Sequence, residues 1–208
     1  MKPEELRILE HYFPAAAVPM VADAYENSRF QLRFKRPRAS KLGDFCPPRT
    51  PNGICRITLN VDLNPYQMLI TFVHEFAHYA VYMLAPKKRV EPHGDLWKLT
   101  FMQLLQPYLK PDIFPADVLE ALHRHLHHIK ASSTADPYLA KVLKRYDDNH
   151  SNAGTVTVDD LPDGSIFCLY NGMTFRKGPK KRTRYQCVCQ DNGKTYSVSG
   201  LAEVEKTL

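Results

Sequence analysis

The sequence predicts an α+β protein in which a mainly helical core with a small sheet is followed by a small C-terminal antiparallel β unit. Two observations carry this prediction. Apolar residues recur at helical spacing through most of the first 146 residues, with two short alternating segments among them. After a polar stretch, short alternating segments separated by turn residues replace the helical pattern. We therefore expect one domain over residues 1–146 and a small β domain over residues 155–208.

The composition excludes several classes of protein. With 208 residues, 44% of them hydrophobic and 24% charged, the chain is typical of folded globular proteins. The most apolar stretch, Met68 to Ala85, is interrupted by His74, Glu75 and His78, so it does not fit a membrane span. The first ten residues lack the apolar region of a secretory signal, and five cysteines do not suggest a disulfide framework. We expect a cytoplasmic protein with free thiols and no membrane partner.

The first third of the chain predicts two helices and two strands. Apolar residues are spaced helically over residues 4–13 and about 15–27, whereas residues 29–35 alternate as in a half-buried strand. The proline-rich and cationic residues 36–51 predict a loop. A second alternating segment over residues 55–59 could pair with the first strand.

The strongest helix signal follows. Asn64 can cap this helix, Pro65 suits its first position, and Pro86 ends it after about Leu84. Because the segment is apolar on nearly every side, it predicts a buried central helix. Polar residues in its middle therefore need a specific explanation.

The remaining helices are predicted at about 95–109, 115–130 and 137–146, the last capped by Asp136. The polar residues 147–154 indicate a linker. Beyond it, turn residues separate five predicted strands at 155–158, 165–170, 173–176, 182–189 and 195–198.

The centre of the buried helix carries the pattern HExxH. His74 and His78 lie one turn apart on one helical face and can bind one zinc ion, while Glu75 can act as the general base of a hydrolysis. Three ionisable groups on a buried helix are costly without a partner, and a metal ion supplies one. A metzincin site would need glycine and histidine where Val81 and Leu84 stand, so that class is excluded.

A catalytic zinc site needs a third protein ligand and one open position. Glu91, His93 and Asp95 are the candidates downstream of the helix. We favour His93, because Gly94 precedes a predicted helix start and lets the backbone approach the metal.

Three segments in this order resemble the SprT-like family: 52–60 (NGICRITLN), 74–78 (HEFAH) and 93–97 (HGDLW). The resemblance covers roughly residues 20–110. It implies a zincin-like protease core that holds one zinc ion per chain with His74, His78 and His93, and that uses Glu75 as general base. The family includes the Spartan proteases, which cut proteins crosslinked to DNA.

The tail departs from that family. Many SprT-like proteins carry a C-terminal zinc ribbon with two CxxC pairs, whereas this tail has Cys168, Cys187 and Cys189. Three cysteines at this spacing do not make a four-cysteine site. We therefore expect a β domain in the position of a degenerate zinc ribbon, without a second zinc ion, and with Cys187 and Cys189 on one strand face.

The net charge of +6 is concentrated in two blocks. Residues 29–56 carry +7 and residues 170–208 carry +5, whereas residues 1–28 and 57–169 carry −3 each. Two basic blocks on a slightly acidic body favour a nucleic-acid partner, DNA above all, although a solvated surface is the simpler alternative. The candidate contacts are Arg36, Arg38, Lys41, Lys180, Lys181, Arg182 and Arg184.

A further group of histidines occupies the helix predicted at 115–130. We interpret it as a solvated helix face rather than a second metal site, because isolated histidine pairs are commonly surface residues. The group comprises His123, His125, His127 and His128.

These patterns lead to two hypotheses. The first is a zinc metallopeptidase that hydrolyses proteins near or crosslinked to DNA. The second is a nucleic-acid-binding accessory protein whose zinc is structural and which has little or no proteolytic activity. The two differ in what Glu75 does.

Overall fold

The computed structural model describes residues 1–38, 40–50, 52–85, 90–127, 136–147, 156–169, 172–202 and 204–207. The chain divides into two units, Met1–Asp148 and Asn149–Leu208. Unit 1 combines helices with a small sheet, and unit 2 is an antiparallel sheet, so the predicted α+β class is confirmed. Among the described residues, no helix is long and apolar enough to cross a membrane.

The helices of unit 1 follow the predicted order with small changes at their ends. A 3-10 turn, Ala15–Ala17, precedes the second helix, and another, Gln106–Tyr108, continues the fourth. The predicted helix over 115–130 ends within the described residues at His127, and residues 128–130 lie outside them. The six helices of the described residues are α1 (Pro3–Tyr12), α2 (Val18–Glu26), α3 (Pro65–Leu84), α4 (Asp95–Leu105), α5 (Ala116–His127) and α6 (Pro137–Lys144).

The sheet of unit 1 has the strand order β1-β3-β2. β1 (Phe30–Lys35) pairs with β3 (Cys55–Asn60), as their alternation suggested, and the structure shows that this pairing is parallel. β2 (Gly43–Cys46) pairs antiparallel with β3, so the loop predicted over residues 36–51 is wrong at this point. This four-residue strand lies among prolines and cationic residues, which are typical of a loop, so the sequence shows no strand pattern there. The strand forms because it pairs with β3.

The predicted central helix α3 is confirmed, with its cap. The side chain of Asn64 accepts a hydrogen bond from the backbone amide of Gln67 at 3.0 Å, and it donates to the carbonyl of Leu143 at 2.9 Å. The cap therefore begins α3 and also ties it to the C-terminal end of α6. The core of unit 1 lies between α3 and the sheet, where Ile57, Leu59, Met68, Leu69 and Phe72 are completely buried.

Unit 2 contains one sheet with the order β6-β7-β5-β4-β9, and β8 pairs antiparallel with β7 along Arg184–Val188. Two of its strands were not predicted: β6, which is two residues long, and β9 at the end of the chain. Its strands are β4 (Ile166–Leu169), β5 (Thr174–Arg176), β6 (Lys180–Lys181), β7 (Arg184–Cys189), β8 (Thr195–Ser199) and β9 (Val204–Thr207).

The start of unit 2 differs from the prediction. Instead of ending a strand, Val158 begins a 3-10 turn, Val158–Asp160, because the amide and hydroxyl of Thr157 donate hydrogen bonds to the Asp160 carboxylate. The linker residues 148–154, Thr155, and the strand end and turn at Tyr170 and Asn171 lie outside the described residues.

The cysteines of unit 2 are free thiols in its core. Cys187 and Cys189 are fully buried on one face of β7, as predicted, with Val188 exposed between them. Cys168 on β4 is also buried. These side chains pack as small apolar residues.

Candidate metal centre

The HExxH segment lies in the middle of α3. His74 and His78 are one helical turn apart, and their ring centroids are 5.0 Å from each other. Because side chains at i and i+4 project from one face of a helix, both rings point the same way. The helix is buried on its other sides, so this face is where α3 can receive a ligand.

The third histidine comes from the segment that precedes α4. His93 has a backbone φ of 61°, in the left-handed region, and the amide of the following Gly94 donates a hydrogen bond to the carbonyl of Glu91 at 3.1 Å. A Cβ on Gly94 would lie 3.2 Å from the carbonyl oxygen of Glu91, so the turn leaves little space for a larger residue. The turn directs the ring of His93 onto α3.

The three rings meet at their Nε2 atoms. The Nε2 atom of His93 lies 3.1 Å from that of His78 and 3.2 Å from that of His74. Two ligands of a tetrahedral zinc ion, each at about 2.0–2.1 Å from it, are about 3.3 Å apart. The spacing and the nitrogen donors therefore fit a zinc ion, and among the described residues this is the group that could hold a metal.

The protonation of the three histidines suits metal binding. Burial lowers the pKa of His74 to about 3 and that of His78 to about 4, and the neighbouring histidines add to both shifts. Burial also lowers the pKa of His93. The rings are therefore neutral at neutral pH, and each can offer a nitrogen lone pair to a cation.

Two stacked aromatic side chains, Trp97 and Phe101, pack beside the three histidine rings. Trp97, on the first turn of α4, is 1% exposed, and its ring centroid lies 4.7 Å from those of His74 and His93 and 5.2 Å from that of His78. On its other side it stacks on Phe101, with centroids 5.1 Å apart and planes 7° apart. A large rigid ring in contact with all three imidazoles limits their movement.

Glu75 is buried between α3 and the edge strand β2. Its side chain is 7% exposed. Burial, followed by the negative charge of Asp44, raises the pKa of Glu75 to about 8, while the backbone amide of Phe45 and the cations Lys41 and Arg38 oppose the shift. β2 thus determines both the position and the electrostatic surroundings of this carboxyl.

The close approach of β2 requires a glycine. A Cβ on Gly43 would lie 2.8 Å from Cγ and Oε1 of Glu75 and 2.8 Å from the methyl group of Thr71. No side chain fits at this distance without moving α3, β2 or the carboxyl.

The model of the SprT-like family matches residues 12–115, which is half of the chain. The chain belongs to the SprT-like family. The matched range contains α3, the turn at His93 and the whole three-stranded sheet, and this membership supports a metallopeptidase-type function. Neither the curated proteins nor the solved structures give a match.

In this SprT-like chain, one of the three candidates for the third ligand lies beside His74 and His78. His93 lies in the group of converging nitrogens, whereas Glu91 and Asp95 do not. Glu91 instead packs against Gly94 in the turn that presents His93. The sequence signal for this choice was the glycine after His93.

The basic candidates of unit 1 have different surroundings. Arg36 is exposed. Lys41 forms an ion pair with Asp44 at 2.8 Å. Arg38 is half-buried, and its Nε donates to the side-chain oxygen of Asn60 at 2.8 Å. Of these three side chains, that of Arg36 is therefore fully available at the surface.

The basic candidates of unit 2 also differ. Lys180 donates to the Asp159 carboxylate at 2.5 Å, and Arg184 donates from Nε to the Ser197 hydroxyl at 3.0 Å. Lys181 and Arg182 are exposed at the β6–β7 turn, where Arg182 has a φ of 57°. These two residues present the most accessible charge of the turn.

Lys177 belongs to the basic block of residues 170–208, but its side chain is buried. Its ammonium group donates to the carbonyl of Leu161 at 2.6 Å and lies 4.1 Å from the ring centroid of Tyr185. The residue is buried and stabilises the interior of unit 2. Its charge is not available to a partner.

The histidine group of α5 is not entirely a solvated face. His123 is exposed, as predicted, but His125 is 2% exposed and its Nδ1 lies 3.2 Å from the Asp136 carboxylate. The prediction is therefore wrong for His125, whose burial depends on packing against α6. The side chain of His127 and the whole of His128 lie outside the described residues.

Proposed function

We propose that this chain is a zinc-dependent metallopeptidase of the SprT-like type. The observation that carries the proposal is the meeting of three neutral imidazole nitrogens, 3.1–3.2 Å apart in two of their pairs, beside a buried carboxyl on the same helix. A zinc ion held there by His74, His78 and His93 supplies Lewis acidity, which acidifies water and polarises a peptide carbonyl.

The protein's own groups have distinct roles in this proposal. In its ionised form, which a positive charge at the three histidines would favour, Glu75 accepts a proton from the attacking water as the water oxygen bonds to the carbonyl carbon of the substrate. The C–N bond then breaks, and Glu75 returns the proton to the leaving amine. Because β2 and Thr71 enclose Glu75, the carboxyl is held in one place throughout these transfers.

The decisive experiment replaces Glu75. We expect Glu75→Gln to slow cleavage of an unfolded protein substrate, and any self-cleavage, by about 10²- to 10⁴-fold, because a positioned general base is lost. The zinc content should stay at one ion per chain, since the three histidines are unchanged. Fragments separated on a gel, together with elemental analysis, measure both quantities.

Glu10→Gln on α1 is the matched control, because Glu10 is exposed and the substitution is chemically the same. It should cleave at the rate of the unaltered protein. If Glu75→Gln also cleaves at that rate, the peptidase proposal fails. An unaltered protein that binds zinc and nucleic acid but cleaves nothing would instead support an accessory protein with a structural zinc.

We further propose that the substrates are proteins near or crosslinked to DNA, and that the protein works in the cytoplasm with its five thiols reduced. The exposed cations Arg36, Lys181 and Arg182 support a polyanionic partner. Lys181 and Arg182 lie together at one tight turn, which suits contact with neighbouring phosphates.

DNA binding tests this second part. We expect affinity to fall steeply with salt, and the double variant Lys181→Gln, Arg182→Gln to reduce the slope of log affinity against log salt by about two. Fluorescence anisotropy with a labelled oligonucleotide measures the slope. Lys194→Gln, an exposed lysine at the distant β7–β8 turn, serves as control. Binding that does not depend on salt would contradict the proposal.

A further inference from the structure

The face of the unit 1 sheet that points away from α3 carries buried polar groups. Along β3, Cys55, Ile57 and Leu59 point into the core. The alternate positions Arg56, Thr58 and Asn60 therefore lie on the opposite face, because successive strand residues point to opposite sides.

Arg38 extends this row. Its Nε donates to the side-chain oxygen of Asn60 at 2.8 Å, and the side-chain nitrogen of Asn60 donates to the backbone carbonyls of Lys41 at 2.9 Å and Arg38 at 3.3 Å. Asn60 is 1% exposed. It thus holds the loop before β2 and orients the guanidinium of Arg38. We call Arg38, Arg56 and Thr58, together with Asn60, the outer row.

Three atoms of the outer row are buried without a hydrogen-bond partner among the described residues: Arg38 Nη2, Arg56 Nε and Thr58 Oγ1. Leaving one such group unsatisfied costs about 1–3 kcal/mol, and more for a charged group. All three can donate a hydrogen bond. Their occurrence on one strand face and its adjoining loop indicates a missing acceptor.

The surrounding charge indicates that this acceptor is an anion. In the ladder, Arg33 lies beside Thr58 and Lys35 beside Asn60, and both are exposed cations. The one acidic residue opposite Thr58 is Asp44, and it already accepts hydrogen bonds from Lys41 at 2.8 Å and from the Cys46 thiol at 3.2 Å.

We propose that Arg38, Arg56 and Thr58 of the outer row bind a phosphate group. A carboxylate has two oxygens in one plane and can be satisfied by a single arginine, whereas a phosphate offers several oxygens to donors from separate residues. The group could belong to a nucleic-acid backbone or to free phosphate. This inference does not rest on peptidase activity or on the β6–β7 turn.

Inorganic phosphate is the first probe. We expect it to raise the melting temperature of the full chain and to bind in calorimetry. Arg56→Gln should weaken this binding about tenfold or more, and Thr58→Val about threefold to tenfold, because each removes a hydrogen bond to a charged group. Without phosphate, Thr58→Val should be at least as stable as the unaltered protein, since it removes an unsatisfied hydroxyl.

Two control variants make the result specific. Arg33→Gln removes the same charge from the same sheet face, at an exposed position beside Thr58, and should change binding less than threefold. His78→Ala should retain phosphate binding, which separates the outer row from the metal centre.

A short labelled oligonucleotide distinguishes the two sources of phosphate. If Arg56→Gln and Thr58→Val weaken its binding in parallel with that of phosphate, the phosphate group of the outer row is that of a nucleic-acid backbone. If they weaken only the binding of inorganic phosphate, the group is free phosphate. The inference is overturned if phosphate does not bind, if Arg33→Gln weakens binding as much as Arg56→Gln does, or if Thr58→Val has no effect on binding.

Discussion

The contact between Gly43 and Glu75 joins a backbone position to the chemistry of the site. Glu75 is buried because β2 lies directly on it, and β2 can lie there because Gly43 has no side chain. Its carboxyl is held by an element that joins the sheet, not only by its own helix. The geometry of the proposed base therefore depends on the sheet.

We expect Gly43→Ala to destabilise the protein by about 1–3 kcal/mol, since the added methyl group would overlap Glu75 and Thr71. It should also lower kcat by more than a smaller fraction of folded protein would explain, because Glu75 must move to relieve the overlap. Urea unfolding and the steady-state cleavage rate measure these effects. Cys46→Ala, on the same strand, should leave kcat within about twofold. A Gly43→Ala protein with an unchanged kcat would show that Glu75 is not positioned by β2.

The metal-centre residues differ in how far the sequence predicts them. The spacing of His74 and His78 places both on one helical face, and the glycine after His93 marks the third ring, so all three follow from local patterns. The contacts of Trp97 and Gly43 do not follow from local patterns, because each residue contacts the site through packing between separate elements. No local pattern records such contacts.

At the scale of elements, a hydrogen bond between the buried His125 and the partly buried Asp136 connects α5 with the start of α6. Asp136 caps α6 through the amides of Tyr138 and Leu139, and its other oxygen lies 3.2 Å from Nδ1 of the buried His125. Burial alone would raise the pKa of Asp136, but the hydrogen bonds from His125, Leu139 and Tyr138 outweigh it and lower that pKa. The folded protein therefore favours the ionised carboxylate.

We expect Asp136→Ala to reduce the free energy of unfolding by about 2–3 kcal/mol, because it removes both a helix cap and the hydrogen bond between Asp136 and the ring of His125. Asp136→Asn keeps the cap and should cost less. Since the folded pKa lies below the unfolded one, this stabilisation is present above the ordinary pKa of aspartate and is lost as the pH falls through the lowered value. Denaturant unfolding at several acidic pH values tests this. The prediction is contradicted if the difference in free energy of unfolding between Asp136→Asn and the unaltered protein does not become smaller at acidic pH.

Elements with local signals were predicted, and those that depend on pairing were not. α3 and α6 have capping residues and proline at the first position, so their starts can be located from sequence. β2 and β6 are four and two residues long and exist through their pairing with longer strands. The burial of His125 likewise depends on a residue eleven positions away.

At the scale of the whole molecule, the two units have separate apolar cores. The core of unit 1 includes α3 and the three-stranded sheet, and that of unit 2 is built around Phe167, Phe175, Cys187 and Cys189. The proposed zinc ligands all belong to unit 1. Zinc should therefore act on the stability of one unit.

We expect calorimetry of the full chain to show that zinc raises the melting temperature of the unit 1 transition by several degrees. Free zinc at a concentration one hundred times its Kd increases the free energy of unfolding by about 2.7 kcal/mol. A chelator should reverse the change, and the unit 2 transition should not move. His78→Ala should abolish the zinc response. An equal shift of both transitions would mean that zinc also binds unit 2.

Trp97 is the single tryptophan of the chain, and its ring lies against all three proposed ligands. The ultraviolet emission specific to indole therefore arises at one place in the protein, within about 5 Å of the imidazole rings. A cation entering between those rings brings positive charge close to the indole and changes its emission. The protein thus contains its own optical reporter for its metal centre, and no dye or label needs to be attached.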